Sequence, residues 1–121
     1  MKTCSKCRET KPCDEFARHK NRYDGRAESC KECRKWQYFE SFYSLDKVAY
    51  LSLVEAQGGK CGACKRITTN FEVDHDHACC PGRRTCGECV RGLLCQRCNK
   101  ALGLVNDDVD VLNGLIDYLD L

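Results

Sequence analysis

The stretch FEVDHDHACC, residues 71–80, places two Asp, two His and two Cys within ten positions. On a β-strand the side chains alternate between two faces, so Asp74 and Asp76 point one way while His75 and His77 point the other. A bend or a bulge would bring Asp74 and His75 to one point, and such irregularities are common near active sites. The density of titratable groups therefore predicts a chemical centre rather than a plain polar strand.

Cysteines dominate the rest of the chain, with 13 among 121 residues. Five pairs have the Cys-x-x-Cys spacing, and two such pairs supply the four ligands of a tetrahedral zinc site. An odd number of cysteines does not suit a framework made only of disulfides. The sequence therefore predicts structural zinc sites in a reducing cytosol.

Two closed zinc sites follow from the pairing of these motifs. Each would hold the shape of the chain and would perform no chemistry itself, because all four positions around the ion are filled by protein. One predicted set is Cys61, Cys64, Cys95 and Cys98, and the other is Cys4, Cys7, Cys30 and Cys33.

A third zinc site is predicted in the insert CCPGRRTCGECVRG, residues 79–92. Its four predicted ligands are Cys79, Cys80, Cys86 and Cys89. Adjacent cysteines seldom both reach one ion, so His77 and Cys13 remain alternatives for the fourth ligand. The other interpretation is an accessory loop with spare thiols.

The motifs divide the chain into an N-terminal zinc knuckle at 1–35, a helical connector at 36–57 and a third segment at 58–121. The last segment ends in a predicted helix, which Asn106 or Asp107 would cap. The apolar positions of this helix recur at helical spacing, so its apolar face is expected to cover a neighbour. These positions are Val109, Leu112, Ile116 and Leu119.

Charge and hydropathy limit the classes of function. The formal net charge is +2, with eleven Lys and Arg against seven Asp and Glu in the first forty residues. This balance permits nucleic-acid binding without requiring it. The sequence contains neither the apolar region of a signal peptide nor a run of transmembrane length, so we expect a cytoplasmic protein without a membrane partner.

Four motifs follow one another along the chain: Cys-x-x-Cys at 61–64, Asp-His-Asp-His at 74–77, Arg-Gly-Leu-Leu-Cys-x-x-Cys-Asn at 91–99 and Leu-Gly at 102–103. This order resembles the phage recombination endonuclease VII family, which belongs to the ββα-metal or His-Me finger nucleases. The resemblance covers about residues 45–119 and implies a small α+β fold, stabilised by zinc, with flanking helices around a ββα-metal core. AQGGKC at residues 56–61 also fits the family. The matching residues are Cys61, Cys64, Asp74, His75, Asp76, His77, Arg91, Gly92, Leu93, Leu94, Cys95, Cys98, Asn99, Leu102 and Gly103.

The resemblance also implies roles for individual residues. His75 would be the general base that deprotonates the attacking water, since a neutral imidazole accepts a proton near neutral pH. Asp74 and Asn99 would hold one Mg²⁺ or Mn²⁺ ion on the scissile phosphate. Asp76 would orient His75 or assist the ion, and His77 would contact phosphate or support the ion.

Two positions depart from the family pattern. Leu102 stands where the family's resolving enzyme has a carboxylate, and Glu72 stands where it has a histidine. We also expect the protein to lack the long C-terminal helical region that this enzyme uses for dimerisation and for selecting branched DNA. We therefore expect this chain to share the family's hydrolytic centre more closely than the specificity of the resolving enzyme for DNA junctions.

These observations predict a metal-dependent DNA endonuclease that hydrolyses phosphodiester bonds. It would act on branched DNA or in phage recombination or packaging, in the cytoplasm of a host cell, with a homodimer as one candidate assembly. The alternative is a non-catalytic, zinc-scaffolded module that binds nucleic acid or a phage protein. The intact set of His75, Asp74 and Asn99 favours the enzyme, because a binding module does not need all three.

Overall fold

The chain divides at residue 48 in the computed structural model, which describes residues 1–120. One unit is Met1–Val48, and the second begins at Ala49. The three segments expected at 1–35, 36–57 and 58–121 stay a prediction. None of the helices among the described residues is long and apolar enough to cross a membrane.

The first unit is organised around cysteines, because Phe16 and Leu45 are the only large apolar residues buried among those described in it. Its buried cluster consists of Cys4, Phe16 and Cys30, with Cys33 packed against it. Apart from one 13-residue helix, the elements of this unit are short, as expected where thiols rather than a large core fix the chain. They are β1 (Lys2–Thr3) paired antiparallel with β2 (Thr10–Lys11), a 3-10 turn at Cys13–Glu15, and helix α1 (Lys31–Tyr43).

Helix α2 (Lys47–Ala56) crosses the boundary between the units and leads into the second. There, strands β3 (Phe71–His75) and β4 (Val90–Cys95) pair antiparallel, and helix α3 (Gln96–Leu104) follows β4 with no intervening residue. Cys95 ends the strand and is also the N-cap residue of the helix. The expected β-β-α order around the residues of interest is thus present.

The side chain of Gln57 fastens β4 to the start of this unit. Its Nε2 donates to the carbonyl oxygens of Lys60 and Leu93 at 2.8 and 2.9 Å, and its Oε1 accepts from the Leu93 amide at 2.9 Å. A Cβ at Gly92 would lie 2.9 Å from Gln57 Oε1. Because these hydrogen bonds restrain Gln57, the close approach requires glycine at position 92.

The final helix, α4 (Val109–Leu119), corrects one prediction. Its N-cap is Asp108, whose carboxylate accepts from the amides of Asp110 and Val111, and not Asn106 or Asp107. Those two residues have positive φ angles of 54° and 56° and form the turn before the cap. The expected packing of the apolar face is also not seen: three of its four predicted residues are exposed, namely Val109, Ile116 and Leu119.

Candidate active site

An irregularity in the sheet lies at the centre of the site. The pairing of β3 with β4 shifts between Asp74, which faces Gly92, and His75, which faces Val90. Arg91 is therefore an additional residue in β4, as in a β-bulge. The additional residue thus lies in β4, opposite the Asp-His pair, and both side chains of the pair are buried, with Asp74 7% and His75 5% exposed.

The carboxylate of Asp74 is held by Arg91. The Nε and Nη2 atoms of Arg91 each donate to one carboxylate oxygen of Asp74 at 2.8 Å, and Nη2 also donates to Asp107 at 3.2 Å. The hydrogen bonds to Asp74 raise the pKa of Arg91. Because a carboxylate offers about four lone pairs, this clamp orients Asp74 and still leaves acceptor sites for a cation.

His75 has one ring nitrogen bound to the backbone. Its Nε2 lies 3.0 Å from the carbonyl oxygen of Cys80 and 3.0 Å from that of Gly82. Carbonyl oxygens only accept hydrogen bonds, so Nε2 carries the proton in these contacts. In the neutral ring Nδ1 is then the nitrogen with the lone pair.

His77 contacts a residue far along the chain. Its Nδ1 lies 3.3 Å from an oxygen of Asp107, and its ring lies 4.3 Å from the ring of His75, measured between centroids. Asp107 thereby joins His77 and Arg91. From the sequence, Asp107 was predicted only as a candidate helix cap. No hydrophobic or motif spacing in the sequence links it to the site.

Asp76 is exposed and shapes the turn that follows β3. Its Oδ1 accepts from the amide of Ala78 at 2.9 Å, and its carbonyl oxygen accepts from the amides of Cys79 and Cys80 at 3.1 Å. Its own amide donates to the carbonyl of Cys89 at 2.9 Å. These contacts place Asp76 at the base of the loop that reaches His75 Nε2.

Asn99 meets Glu72. The amide nitrogen Nδ2 of Asn99, in α3, donates to a carboxylate oxygen of Glu72 at 2.9 Å, which leaves Oδ1 as the acceptor of that amide. Glu72 and Asp74 are two residues apart on β3 and share one of its faces. Oxygen donors of this kind are the ligands that hard divalent cations prefer.

The three predicted cysteine sets all assemble. Within each set the four sulfur atoms lie within 4.8 Å of one another. Cys79 and Cys80 both join the third set, although they are adjacent, while His77 contacts Asp107. The sets are Cys4, Cys7, Cys30 and Cys33; Cys61, Cys64, Cys95 and Cys98; and Cys79, Cys80, Cys86 and Cys89.

The spacing of the sulfurs is compatible with zinc. Four Zn–S bonds of about 2.3 Å in a tetrahedron place the sulfurs about 3.8 Å apart. One sulfur pair in the first set, Cys4–Cys33, is separated by 3.8 Å, and one in the second set, Cys64–Cys95, by 3.9 Å. In the third set two separations are 3.9 Å for Cys79–Cys86 and 3.8 Å for Cys86–Cys89.

The electrostatics of the thiols also suit a cation. Burial opposes ionisation of Cys61, but amide donors led by those of Cys95, Cys64 and Ala63 outweigh it and lower the pKa of Cys61 to about 6. Burial, followed by the neighbouring thiols, raises the pKa of Cys98 to about 12. Four close sulfurs thus favour a partly ionised set, and a bound cation would stabilise the fully ionised one.

A cleft of about 730 Å³ lies beside Glu72 in the second unit. Arg66 and Arg97 contribute to its lining, and Ile67 lies there with its side chain largely exposed. Asp74, His75 and Asn99 are not among the lining residues, but two cationic side chains in one cleft suit contact with a phosphate-containing polymer.

The antiparallel pair β3–β4, the helix α3 and the Asp-His pair at the end of β3 define the ββα-metal class of nuclease fold. The sequence profile of recombination endonuclease VII matches residues 36–121. The chain belongs to the recombination endonuclease VII family.

Individual proteins are also similar to this chain. The gene 59 proteins of Mycobacterium phages D29 and L5 are 38% and 36% identical to the chain over 81 residues. These matches cover 64% of this chain and 44% of each relative, so the chain spans less than half the length of these curated relatives. Among solved structures, the ββα-Me type II restriction endonuclease Hpy99I is 27% identical with a TM-score of 0.41, covering 97% of this chain and 63% of that one.

Proposed function

We propose that the chain is a metal-dependent DNA endonuclease that hydrolyses phosphodiester bonds, with His75 as the general base. The observation that carries this proposal is the orientation of the His75 ring. Two backbone carbonyls accept from Nε2, so the ring offers Nδ1 as the basic atom. Asp74, the adjacent residue, is held in one orientation by Arg91.

The chemical step uses this orientation. Nδ1 of His75 takes a proton from water as the water oxygen bonds to phosphorus and the bond from phosphorus to the leaving sugar oxygen breaks. The hydrogen bonds to Cys80 and Gly82 continue to be satisfied when the ring becomes an imidazolium, because Nε2 donates in both states. A base of this kind contributes about 10²- to 10⁴-fold to a rate.

Asp74 and Asn99 would bind a divalent cation, and Glu72 would support it. The donors would be the carboxylate of Asp74, on β3, and Oδ1 of Asn99, on α3, with Glu72 hydrogen-bonded to Asn99. Mg²⁺ or Mn²⁺ bound there would stabilise negative charge on the phosphate and the leaving oxygen. His77 and Asp76 would act as supporting groups, His77 through Asp107 and Asp76 through the turn after β3.

DNA is the proposed substrate, and the cleft lined by Arg66 and Arg97 is the proposed path for its backbone. The proposal includes a role in phage recombination or packaging in the cytoplasm of a host cell; the family is described as recombination endonuclease VII, and both relatives are phage proteins. A monomer would nick one strand at a time, whereas a symmetric homodimer would make paired cuts. A panel of supercoiled, linear, single-stranded and branched DNAs tests the activity, and the ratio of nicked to linear plasmid distinguishes the two assemblies.

Asn99→Ala is expected to raise the Mg²⁺ concentration needed for half-maximal cleavage by roughly tenfold or more, because the change removes one proposed oxygen donor. It also removes the amide that donates to Glu72. The measurement is plasmid nicking as a function of Mg²⁺ and Mn²⁺ concentration.

The matched control for Asn99→Ala is Asn113→Ala, on the exposed surface of α4. This control variant should respond to Mg²⁺ as the unmodified chain does. An Asn99→Ala variant with an unchanged cation dependence would remove Asn99 from the proposed cation site.

We also propose that the cysteine sets hold zinc, one ion in each of the three. Elemental analysis of the purified chain after dialysis is expected to find three zinc ions per chain. Two of these ions would occupy the two closed cysteine sets, one in each unit. A count below two would contradict structural zinc in both units.

A further inference from the structure

The loop between β3 and β4 is closed by the third cysteine set, which we call the loop tetrad: Cys79, Cys80, Cys86 and Cys89. Two of its cysteines lie near the start of the loop and two near its end. The sulfurs of Cys79 and Cys86, which join these two parts, are 3.9 Å apart. An ion bound here would therefore link the start of the loop to its end and restrict its conformations, as a disulfide does in a small domain.

Little of this loop is buried. Among residues 76–89, Thr85 is the one buried residue, and its hydroxyl accepts from the Gly87 amide within the same loop. A connection with so little buried surface gains its order from local contacts or from a bound ion. The contacts of the loop include the hydrogen bonds of Asp76 at its base and the contact of His77 with Asp107.

The same loop supplies both backbone partners of His75. Cys80 provides its sulfur to the loop tetrad and its carbonyl oxygen to His75 Nε2, and the carbonyl of Gly82 lies two residues further on. The position of these oxygens therefore depends directly on the position of a tetrad residue. Gly82 itself is exposed, so packing contributes little to its placement.

We propose that a metal ion bound by the loop tetrad holds the carbonyls of Cys80 and Gly82 against Nε2 and thereby fixes the tautomer of His75 that leaves Nδ1 unprotonated. The tetrad cysteines are positioning residues in this arrangement. The consequence for cleavage rests on the proposed function, whereas the effect on the tautomer does not. Partners that orient a functional imidazole typically contribute about 10- to 100-fold to activity.

Cys86→Ser tests the proposal in the full chain. This variant should lose one zinc ion of three, because it removes a sulfur that is within 3.8 Å of Cys89 and 3.9 Å of Cys79. At about pH 8, where imidazoles are neutral, two-bond ¹H–¹⁵N correlation spectra distinguish the protonated from the unprotonated ring nitrogen. The unmodified chain should show His75 with Nε2 protonated, and Cys86→Ser should show a mixture of both tautomers and cleavage reduced about 10- to 100-fold.

Two further variants separate positioning from folding. Cys13→Ser removes an exposed cysteine outside the three sets and should change neither the zinc content nor the His75 spectrum. Cys86→His retains a zinc ligand and should restore the third ion, the single tautomer and most of the cleavage rate. Retention of the other two zinc ions in Cys86→Ser shows that both units remain folded.

The outcomes decide the two proposals separately. If Cys86→Ser loses its ion but keeps a single His75 tautomer, the positioning proposal is wrong, whatever the cleavage rate. If the unmodified chain binds only two zinc ions, the loop tetrad is not a metal site and the positioning proposal is wrong as well. If the unmodified chain binds three ions, shows one tautomer and does not cut DNA, the proposed function fails while the spectra still test the positioning.

Discussion

His75→Ala is expected to lower the rate of DNA cleavage by about 10²- to 10⁴-fold, because it removes the only proposed proton acceptor for the attacking water. The side chain is buried, and its Nε2 donates to two backbone carbonyls. The measurement is the initial rate of nicking of supercoiled plasmid in the presence of Mg²⁺ or Mn²⁺. Zinc content is expected to remain unchanged, since His75 is not a member of any cysteine set.

Alanine also leaves the carbonyls of Cys80 and Gly82 without their partner, which lowers stability by about 1–3 kcal/mol. His75→Gln is therefore the sharper variant, since its amide retains a donor for these carbonyls and has no basic nitrogen. His19→Ala is the matched control, because His19 is exposed and lies in the first unit. Cleavage by folded His75→Gln at the rate of the unmodified chain would show that His75 is not the base.

Cys61→Ser is expected to unfold the second unit rather than to impair its chemistry selectively. Cys61 is fully buried, and its sulfur accepts from the amides of Ala63 and Cys95, so it connects the first knuckle of the unit to the end of β4. Apparent zinc-binding free energies in small zinc domains are about 10–16 kcal/mol. That exceeds or matches the whole stability of a typical domain, about 5–15 kcal/mol.

Thermal unfolding followed by circular dichroism, together with zinc analysis, measures this effect. The control is again Cys13→Ser, at an exposed cysteine in the 3-10 turn. We expect the unfolding midpoint of this control to match that of the unmodified chain. A Cys61→Ser protein that is folded, retains its zinc and cuts DNA would contradict the assignment of Cys61 as a zinc ligand.

The cysteine sets could be predicted from the sequence because their chemistry is local. A Cys-x-x-Cys knuckle fixes two ligands within four residues, and only the pairing of knuckles remains to be found. The four knuckles of the first two sets combine as predicted. The adjacent Cys79 and Cys80 were harder to interpret. Whether both residues belong to one set depends on how the loop folds back on itself.

Long-range polar contacts could not be predicted in the same way. Asp107 reaches Arg91 and His77 from the turn before α4, and that turn is set by two consecutive positive φ angles rather than by any hydrophobic period. The cap of α4 was misplaced for the same reason, since three acceptors follow one another at residues 106–108 and backbone conformation selects Asp108. Sequence patterns indicate which faces of a helix or strand are apolar. They do not indicate which carboxylate forms a hydrogen bond with which histidine or arginine.

Because α3 follows β4 with no residue between them, the junction between the two elements tolerates few insertions or deletions. Cys95 ends the strand and caps the helix, and Asn99 lies four residues beyond it. One inserted codon between them would rotate Asn99 by about 100° around the helix axis, because a turn takes about 3.6 residues. An insertion or deletion at this junction is therefore expected to break the contact between Asn99 and Glu72.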